Sequence, residues 1–183
     1  MPTDFNFIMS QIIGIVTTVL AIISMPLKSM KPILILQLIV NLTTALSYLF
    51  ADGFSGAWIC IVAILQTLCC YVYNQKEKKF PLPLTVFFIL AYIACSALNF
   101  KTLFDILPAA AAIAYALSIL TTHPSVFRIY TLANCALWLA YDISTAAYTT
   151  ALLHVILFIC SLVSIIRLDQ EDWKQFFAKH KKA

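Results

Sequence analysis

The chain has 183 residues, of which 62% are hydrophobic and 11% are charged, with a formal net charge of +4 and a mean hydropathy of +0.93. Soluble domains are about 45–50% apolar and about 25% charged, so this composition excludes a soluble globular protein. At about 20 residues for each membrane-spanning helix, the length accommodates about seven spans and little else.

Seven apolar segments follow one another along the chain. The first break lies between Pro26 and Pro32, since proline is best tolerated in the first turn of a helix. A short polar turn at 51–53 and a charged stop at 75–81 mark the next two breaks, whereas only residues 99–102 separate the fourth and fifth segments. The predicted spans are 6–25, 32–51, 55–73, 82–100, 103–121, 126–143 and 147–166.

Two of these segments carry the same polar residues at the same spacing. Asn41 and Tyr48 in the second segment match Asn134 and Tyr141 in the sixth, 93 positions later. Internal repeats are a known plan of membrane transporters, which bind their substrates at the repeat interface. Two three-helix units joined directly would insert in opposite orientations, so we interpret the fourth segment as an extra crossing that restores one orientation to both.

The sequence therefore predicts an all-α integral membrane protein whose seven helices form two parallel three-helix repeats and a linker helix, a 3+1+3 plan. The first repeat covers 6–73, a cytoplasmic loop and the linker helix cover 74–100, and the second repeat covers 103–167. Residues 168–183 form a basic tail with interleaved aromatic residues, typical of an interfacial amphipathic helix. A frayed tail that only fixes the topology is the alternative.

Lysine and arginine residues predict the orientation, because they favour the cytoplasmic side of spans. With the N-terminus outside, eleven of the twelve fall on the cytoplasmic side and only Lys101 falls outside. We therefore expect an external N-terminus and a cytoplasmic C-terminus. The cytoplasmic set is Lys28, Lys31, Lys76, Lys78, Lys79, Arg128, Arg167, Lys174, Lys179, Lys181 and Lys182.

Several functional classes lack their usual residues. The six cysteines lie in apolar segments without a CxxC pair or a Cys/His cluster, so no metal site, disulfide framework or cofactor is expected. No nucleophile with a matching base, no pair of deep carboxylates and no glycine-rich phosphate loop is found, which predicts that the protein is not an enzyme. Topology already explains the lysines of the tail, so no nucleic-acid partner is expected.

Polar residues deep in apolar segments are the candidate site, because such residues usually face the protein interior or a water-filled cavity. His154 is the strongest candidate, since a histidine in the middle of an apolar helix needs a partner or water; we expect it in a cavity near Asn134 and Trp138. The candidate substrate-binding residues are Asn41, Asn134, Trp138 and His154, and the candidate pocket or gate residues are Gln37, Tyr48, Gln66 and Tyr141.

Each candidate has a structural alternative. An intramembrane asparagine is as often a hydrogen-bonding link between helices as a ligand contact, and the same reading is favoured for Gln66. Trp138 could be packing rather than a cavity wall. Tyr48 and Tyr141 lie near the outer ends of their segments, where tyrosine commonly belongs to the interfacial belt.

The repeated polar pattern resembles the MtN3/SWEET/PQ-loop superfamily, whose sugar-transporting members carry Asn-x3-Trp-x2-Tyr in the second helix of each unit. The second unit has this pattern as Asn134, Trp138 and Tyr141, whereas Ala45 replaces the tryptophan in the first. The resemblance implies a substrate-binding role for His154, which falls where those members carry an asparagine. Their proline-glutamine pair is retained only as a proline in the first unit and is absent from the second.

A closer likeness is to the YgjV-type bacterial inner-membrane family within the same broad group. The segment 105–108, Arg128 at the start of the sixth segment and the segment 164–167 look like that family's pattern. The similarity spans nearly the whole chain. It implies an integral protein of the bacterial cytoplasmic membrane.

These features favour a carrier for a small polar solute, sugar-like or another metabolite, that works by alternating access between two rocking bundles. A vitamin-precursor carrier of the nicotinamide riboside type and a non-transporting membrane receptor or scaffold are the alternatives. The expected partners are the solute and the lipid bilayer, and a homo-oligomer is left open. A continuous polar cavity would favour carriage, whereas a sealed apolar core would favour scaffolding.

Overall fold

The computed structural model describes residues 4–50, 54–97, 104, 106–144 and 148–170. This part of the chain folds into seven α-helices, which agree with the seven predicted apolar segments. The predicted tail beyond residue 170 and the weakest predicted boundary, at 99–102, lie outside the described residues. The helices are α1 (Asp4–Ser24), α2 (Met30–Phe50), α3 (Phe54–Gln75), α4 (Leu82–Ala97), α5 (Ile106–Leu120), α6 (Pro124–Ser144) and α7 (Tyr148–Leu168).

Local sequence explains where several helices begin and end. Pro32 lies in the first turn of α2 and Pro124 is the first residue of α6, where a proline loses no intrahelical hydrogen bond. After α3, Glu77 adopts a φ of 53°, and the backbone N–H of Lys78 donates to the carbonyl of Tyr73 (3.0 Å). This left-handed turn closes the helix at the charged stop that the sequence predicted.

Four of the described helices are long and apolar enough to cross a membrane, over Phe5–Ser24, Met30–Phe50, Ala57–Gln75 and Ala151–Leu168. Helices α4 and α5 are apolar but have only 16 and 15 residues, and α6 contains Arg128. Large hydrophobic side chains on the outer faces are widely exposed, as expected where they meet lipid. The chain is thus a helical membrane protein, and the count of seven crossings stays a prediction.

The helices pack in two sets. The most extensive contacts join α2 to α1 and α3, and α6 to α5 and α7. We name α1–α3 the N-terminal helix group and α5–α7 the C-terminal helix group. Helix α4 contacts α3 and α5 more sparingly, and the two groups meet where α1 contacts α7 and where α3 contacts α5.

The core lies between the two groups. One buried cluster combines Met25, Ile33 and Cys70 with Ile119 and Phe127 from the C-terminal helix group. These residues lie at what we name the basic end, where α1, α3, α5 and α7 end and α2, α4 and α6 begin. A second cluster brings α4 against small residues of α3 and α5, which allow close helix approach. Its members are Ala63, Phe88, Tyr92, Ala112 and Ala116.

Candidate functional site

A cavity of about 480 Å³ lies between the two helix groups and is lined by all seven helices. This volume falls within the range of about 300–1,000 Å³ that is usual for small-molecule sites. No aspartate, glutamate, lysine or arginine is among its lining residues in the described part of the chain. Its polar lining consists of Thr17, Thr18, Gln37, Asn41, Thr44, Tyr48, Tyr92, Tyr115, Ser118, Thr131, Asn134, Trp138, Tyr141 and His154.

The structure brings seven of the eight predicted site residues into this cavity. The exception is Gln66, which is fully buried on α3 and donates from Nε2 to the carbonyl of Ala116 on α5 (3.4 Å). Gln66 therefore links two helices outside the cavity, which is the structural alternative that the sequence favoured. The tyrosines Tyr48 and Tyr141, for which an interfacial role was preferred, both line the cavity.

An aromatic wall forms one side of the cavity. The rings of Trp138 on α6 and His154 on α7 lie parallel within 5°, with their centroids 5.9 Å apart. Tyr141, one helical turn beyond Trp138, meets the indole edge-on at 5.9 Å and 80°. Offset stacking and edge-to-face contact are the arrangements that aromatic rings prefer, so each ring fixes the orientation of the next.

A chain of hydrogen bonds fixes the orientation of Asn41. Thr67 donates its single hydroxyl proton to the carbonyl of Ala63 (2.7 Å), so the hydroxyl of Tyr115, 3.2 Å away, must donate to Thr67. Tyr115 therefore accepts from the Nδ2 of Asn41. The chain runs from α2 through α5 to α3, and it leaves the amide oxygen of Asn41 as an acceptor.

The other two cavity amides are oriented in the same sense. Gln37 donates from Nε2 to the hydroxyl of Ser24 (3.3 Å), which itself donates to the carbonyl of Ala21 (2.6 Å). Asn134 donates from Nδ2 to the carbonyl of Ala111 (2.7 Å), a group that can only accept. Each amide thus directs its nitrogen at the protein, and each keeps its oxygen for a donor in the cavity.

Hydroxyl residues are the part of the site that sequence reasoning missed. Thr18 and Thr44 donate to the carbonyls of Gly14 and Val40 one turn earlier, at 3.0 and 2.7 Å, as hydroxyls in helices commonly do. Because such a threonine hydroxyl makes its hydrogen bond within its own helix, a threonine in an apolar segment is only a weak indication of a binding site. Tyr115, in the middle of α5, was the stronger signal, since a tyrosine far from a helix end is outside the interfacial belt.

A second polar site lies at the basic end. Arg128 donates from Nε to the carbonyl of Met25 (2.7 Å), from a terminal nitrogen to that of Leu27 (2.6 Å), and from the other to the carboxylate of Asp169. Its own carbonyl accepts from Ser161 on α7 (3.0 Å). Arg128 and Asp169 are 1% and 2% exposed. The sequence analysis counted Arg128 only as a cytoplasmic charge and placed Asp169 in the basic tail, so it did not predict that the two are buried and paired.

The described residues contain no group of three histidine, cysteine, aspartate or glutamate side chains that could hold a metal ion. What the geometry offers is a binding cavity with an aromatic wall, oriented amides and hydroxyls. It belongs to a helical membrane protein with a site between two helix groups.

Residues 8–172 match the model of the Imp-YgjV family, described as bacterial inner membrane protein, and the chain is a member of that family. The family predicted from Arg128 and the segments around it is therefore confirmed, and with it the bacterial inner membrane. Neither the curated proteins nor the solved structures gave a match. Placement in the MtN3/SWEET/PQ-loop superfamily stays a prediction.

Proposed function

We propose that the protein is a carrier for a small, neutral, polar solute in the bacterial inner membrane. The observation that carries the proposal is the cavity between the helix groups, because polar side chains from both groups line it together. Transporters built from two helical repeats bind their substrates at such an interface and expose the site alternately to each side. A receptor or scaffold with a sealed apolar core would not need this volume.

The 3+1+3 plan and its orientation are part of this proposal. The plan is supported by the packing of α1–α3 and α5–α7 as separate sets with the short α4 between them. It is also supported by Asn41 and Asn134, which occupy matched positions on α2 and α6 and line one cavity. We place the N-terminus outside and the C-terminus in the cytoplasm, so that the basic end faces the cytoplasm.

The chemistry of the lining defines the solute class. Burying an ion in an apolar setting is costly without an opposite charge, and no aspartate, glutamate, lysine or arginine of the described residues lines the cavity. The oriented amides of Gln37, Asn41 and Asn134 offer oxygens to hydroxyl or N–H donors of the solute. The wall formed by Trp138 and His154 suits one flat or C–H-rich face. A neutral molecule with several hydrogen-bond donors meets all three requirements.

The test is thermal stabilisation of the purified protein by a metabolite panel that includes neutral hydroxylated compounds, organic acids and nicotinamide riboside. A ligand at about 100 times its Kd stabilises the folded state by about 2.7 kcal/mol, which shifts the melting temperature by several degrees. We expect hits among neutral compounds only. Stabilisation by nicotinamide riboside alone would favour the vitamin-precursor carrier, and the absence of any hit, together with no flux in proteoliposomes, would contradict the proposal.

His154 gives the variant arm of the same experiment. His154→Leu should leave insertion and folding intact but abolish the ligand-induced shift, because it removes the ring stacked on Trp138 and its hydrogen-bonding nitrogens. His154→Gln should keep part of the shift. The matched control is His123→Leu, since His123 is an exposed histidine at the basic end. Normal binding by the His154→Leu protein would show that the histidine is incidental.

A further inference from the structure

The cavity is bounded differently at its two ends. At the basic end its lining residues Met25 and Phe127 are 2% and 1% exposed, and Ser118 is buried beside them. Toward the opposite end Tyr48 and Tyr141 are only half-buried. The residues described thus close the cavity at the basic end.

Arg128 lies immediately behind this closure and joins the two helix groups. Its bonds to the carbonyls of Met25 and Leu27 reach the connection between α1 and α2, in the N-terminal helix group. Its bond to Asp169 reaches the residue that follows α7, in the C-terminal helix group. Arg128 and Asp169 both belong to the C-terminal helix group, so the two bonds to Met25 and Leu27 make the link between the groups. The ion pair, the one such pair among the described residues, holds the guanidinium in the position from which it makes them.

Neither charge is favourably placed on its own helix. Arg128 lies near the N-terminus of α6, where the helix dipole favours an anion, and Asp169 follows the C-terminus of α7, where it favours a cation. The two charges compensate each other, and Arg128 also meets the free carbonyls at the C-terminal end of α1, where a cation is favoured. The pair with Asp169 lies within one helix group, whereas the contacts with the carbonyls of Met25 and Leu27 exist only while the groups are closed on each other at this end.

We propose that Arg128, held in position by Asp169, closes the inner gate of the cavity through its bonds to Met25 and Leu27, a latch whose release opens the cavity at the basic end. The inference rests on the proposed carrier function and deepens it, since it names the closed side and the residues that close it. One oxygen of Asp169, Oδ2, is buried without a partner in the described part of the chain. An incompletely satisfied carboxylate makes the closed state easier to leave, which a gate requires.

The test measures access to Cys135, which lines the cavity and is 2% exposed. The other five cysteines are replaced by serine or alanine in the full-length protein, and a protease site in the 76–79 loop identifies the basic-end face. With the latch intact, a charged, membrane-impermeant thiosulfonate added at the basic-end face should modify Cys135 about tenfold more slowly than from the opposite face. Equal rates from the two faces would overturn the proposal without any latch variant.

Two latch variants and a matched control complete the experiment. Asp169→Asn and Arg128→Gln should each raise the rate from the basic-end face about tenfold, the factor expected for one charge-assisted hydrogen bond. Arg167→Gln should change nothing, because Arg167 is an exposed arginine only two residues from Asp169. Folding is verified by an unchanged rate from the opposite face, and a folded latch variant with the original basic-end rate overturns the proposal.

The labelling requires no solute, so its failure is separate from a failure of the carrier proposal. If a latch variant does not fold, the labelling rates from the two faces of the protein with an intact latch still test the proposal. Face-dependent labelling combined with no solute binding would leave the latch in place and remove the carrier function. Solute binding combined with equal labelling from both faces would support the carrier function and contradict the latch.

Discussion

The two helix groups place matched asparagines in one cavity but hold them differently. Asn41, in the N-terminal helix group, bonds across the interface to Tyr115, whereas Asn134 bonds to the carbonyl of Ala111 within its own group. Closure of the groups therefore orients the first asparagine, and helix packing alone orients the second. The two asparagines occupy equivalent positions in the sequence, but only the orientation of Asn41 depends on how the two helix groups are arranged.

The aromatic wall is a second difference between the two helix groups. Trp138 lines the cavity, whereas Ala45 at the matched position is 8% exposed and is not part of the lining. His154 also lines the cavity, whereas Ile61, 93 positions earlier, is 40% exposed on the outside of α3. The C-terminal helix group thus supplies the flat wall, and the N-terminal helix group supplies three of the four threonines that line the cavity in the described part of the chain. The repeated spacing predicts location on α2 and α6, and it does not predict chemistry.

Among the substitutions that test this asymmetry, Trp138→Ala is expected to have the largest effect on solute binding. Loss of the ring removes the wall and the support for His154, and we expect solute binding to weaken about 30-fold or more, or about 2 kcal/mol. The measurement is the ligand concentration needed for half-maximal thermal stabilisation. Trp58→Ala is the control, because Trp58 on α3 is 62% exposed and should leave binding unchanged. Similar losses in both variants would show that the wall has no special role.

A smaller effect is expected from making the halves more alike. Ala45→Trp restores the tryptophan of the first unit, but Ala45 is buried and the added ring has no cavity to enter. Overpacking should lower stability by about 1.5 kcal/mol without tightening solute binding. Thermal unfolding of the detergent-solubilised protein measures the first effect and ligand titration the second. A stable variant that binds more tightly would mean that the two groups are more nearly equivalent than their contacts indicate.

The parts of the site that could be predicted from sequence are those that obey a local rule. Hydrophobic segments gave seven helices, and the rule that polar residues avoid lipid selected Asn41, Asn134 and His154 for the cavity. The hydrogen bonds of the Tyr115 hydroxyl with Asn41 and Thr67, and those of Arg128 with Met25 and Leu27, depend on helices far apart in the chain. No spacing within one segment reveals such contacts, because each is created only when the two helix groups meet.

The smallest effect is expected from Gln66→Leu, which tests the one predicted site residue outside the cavity. Gln66 makes a single long bond to Ala116, and its Oε1 is buried without a partner in the described part of the chain. Leucine loses the bond but also removes the unsatisfied oxygen, so we expect stability to change by no more than about 0.5 kcal/mol. Solute binding should be unchanged.

The matched variant for this last comparison is Gln37→Leu, the same substitution at a glutamine that lines the cavity. It leaves Ser24 without its donor and removes an amide oxygen from the solute, so binding should weaken about fivefold to tenfold. Ligand titration of both variants in parallel distinguishes an amide that lines the cavity, Gln37, from one that links two helices, Gln66. Weaker binding in the Gln66 variant than in the Gln37 variant would place the solute near α3 and α5 instead of the aromatic wall.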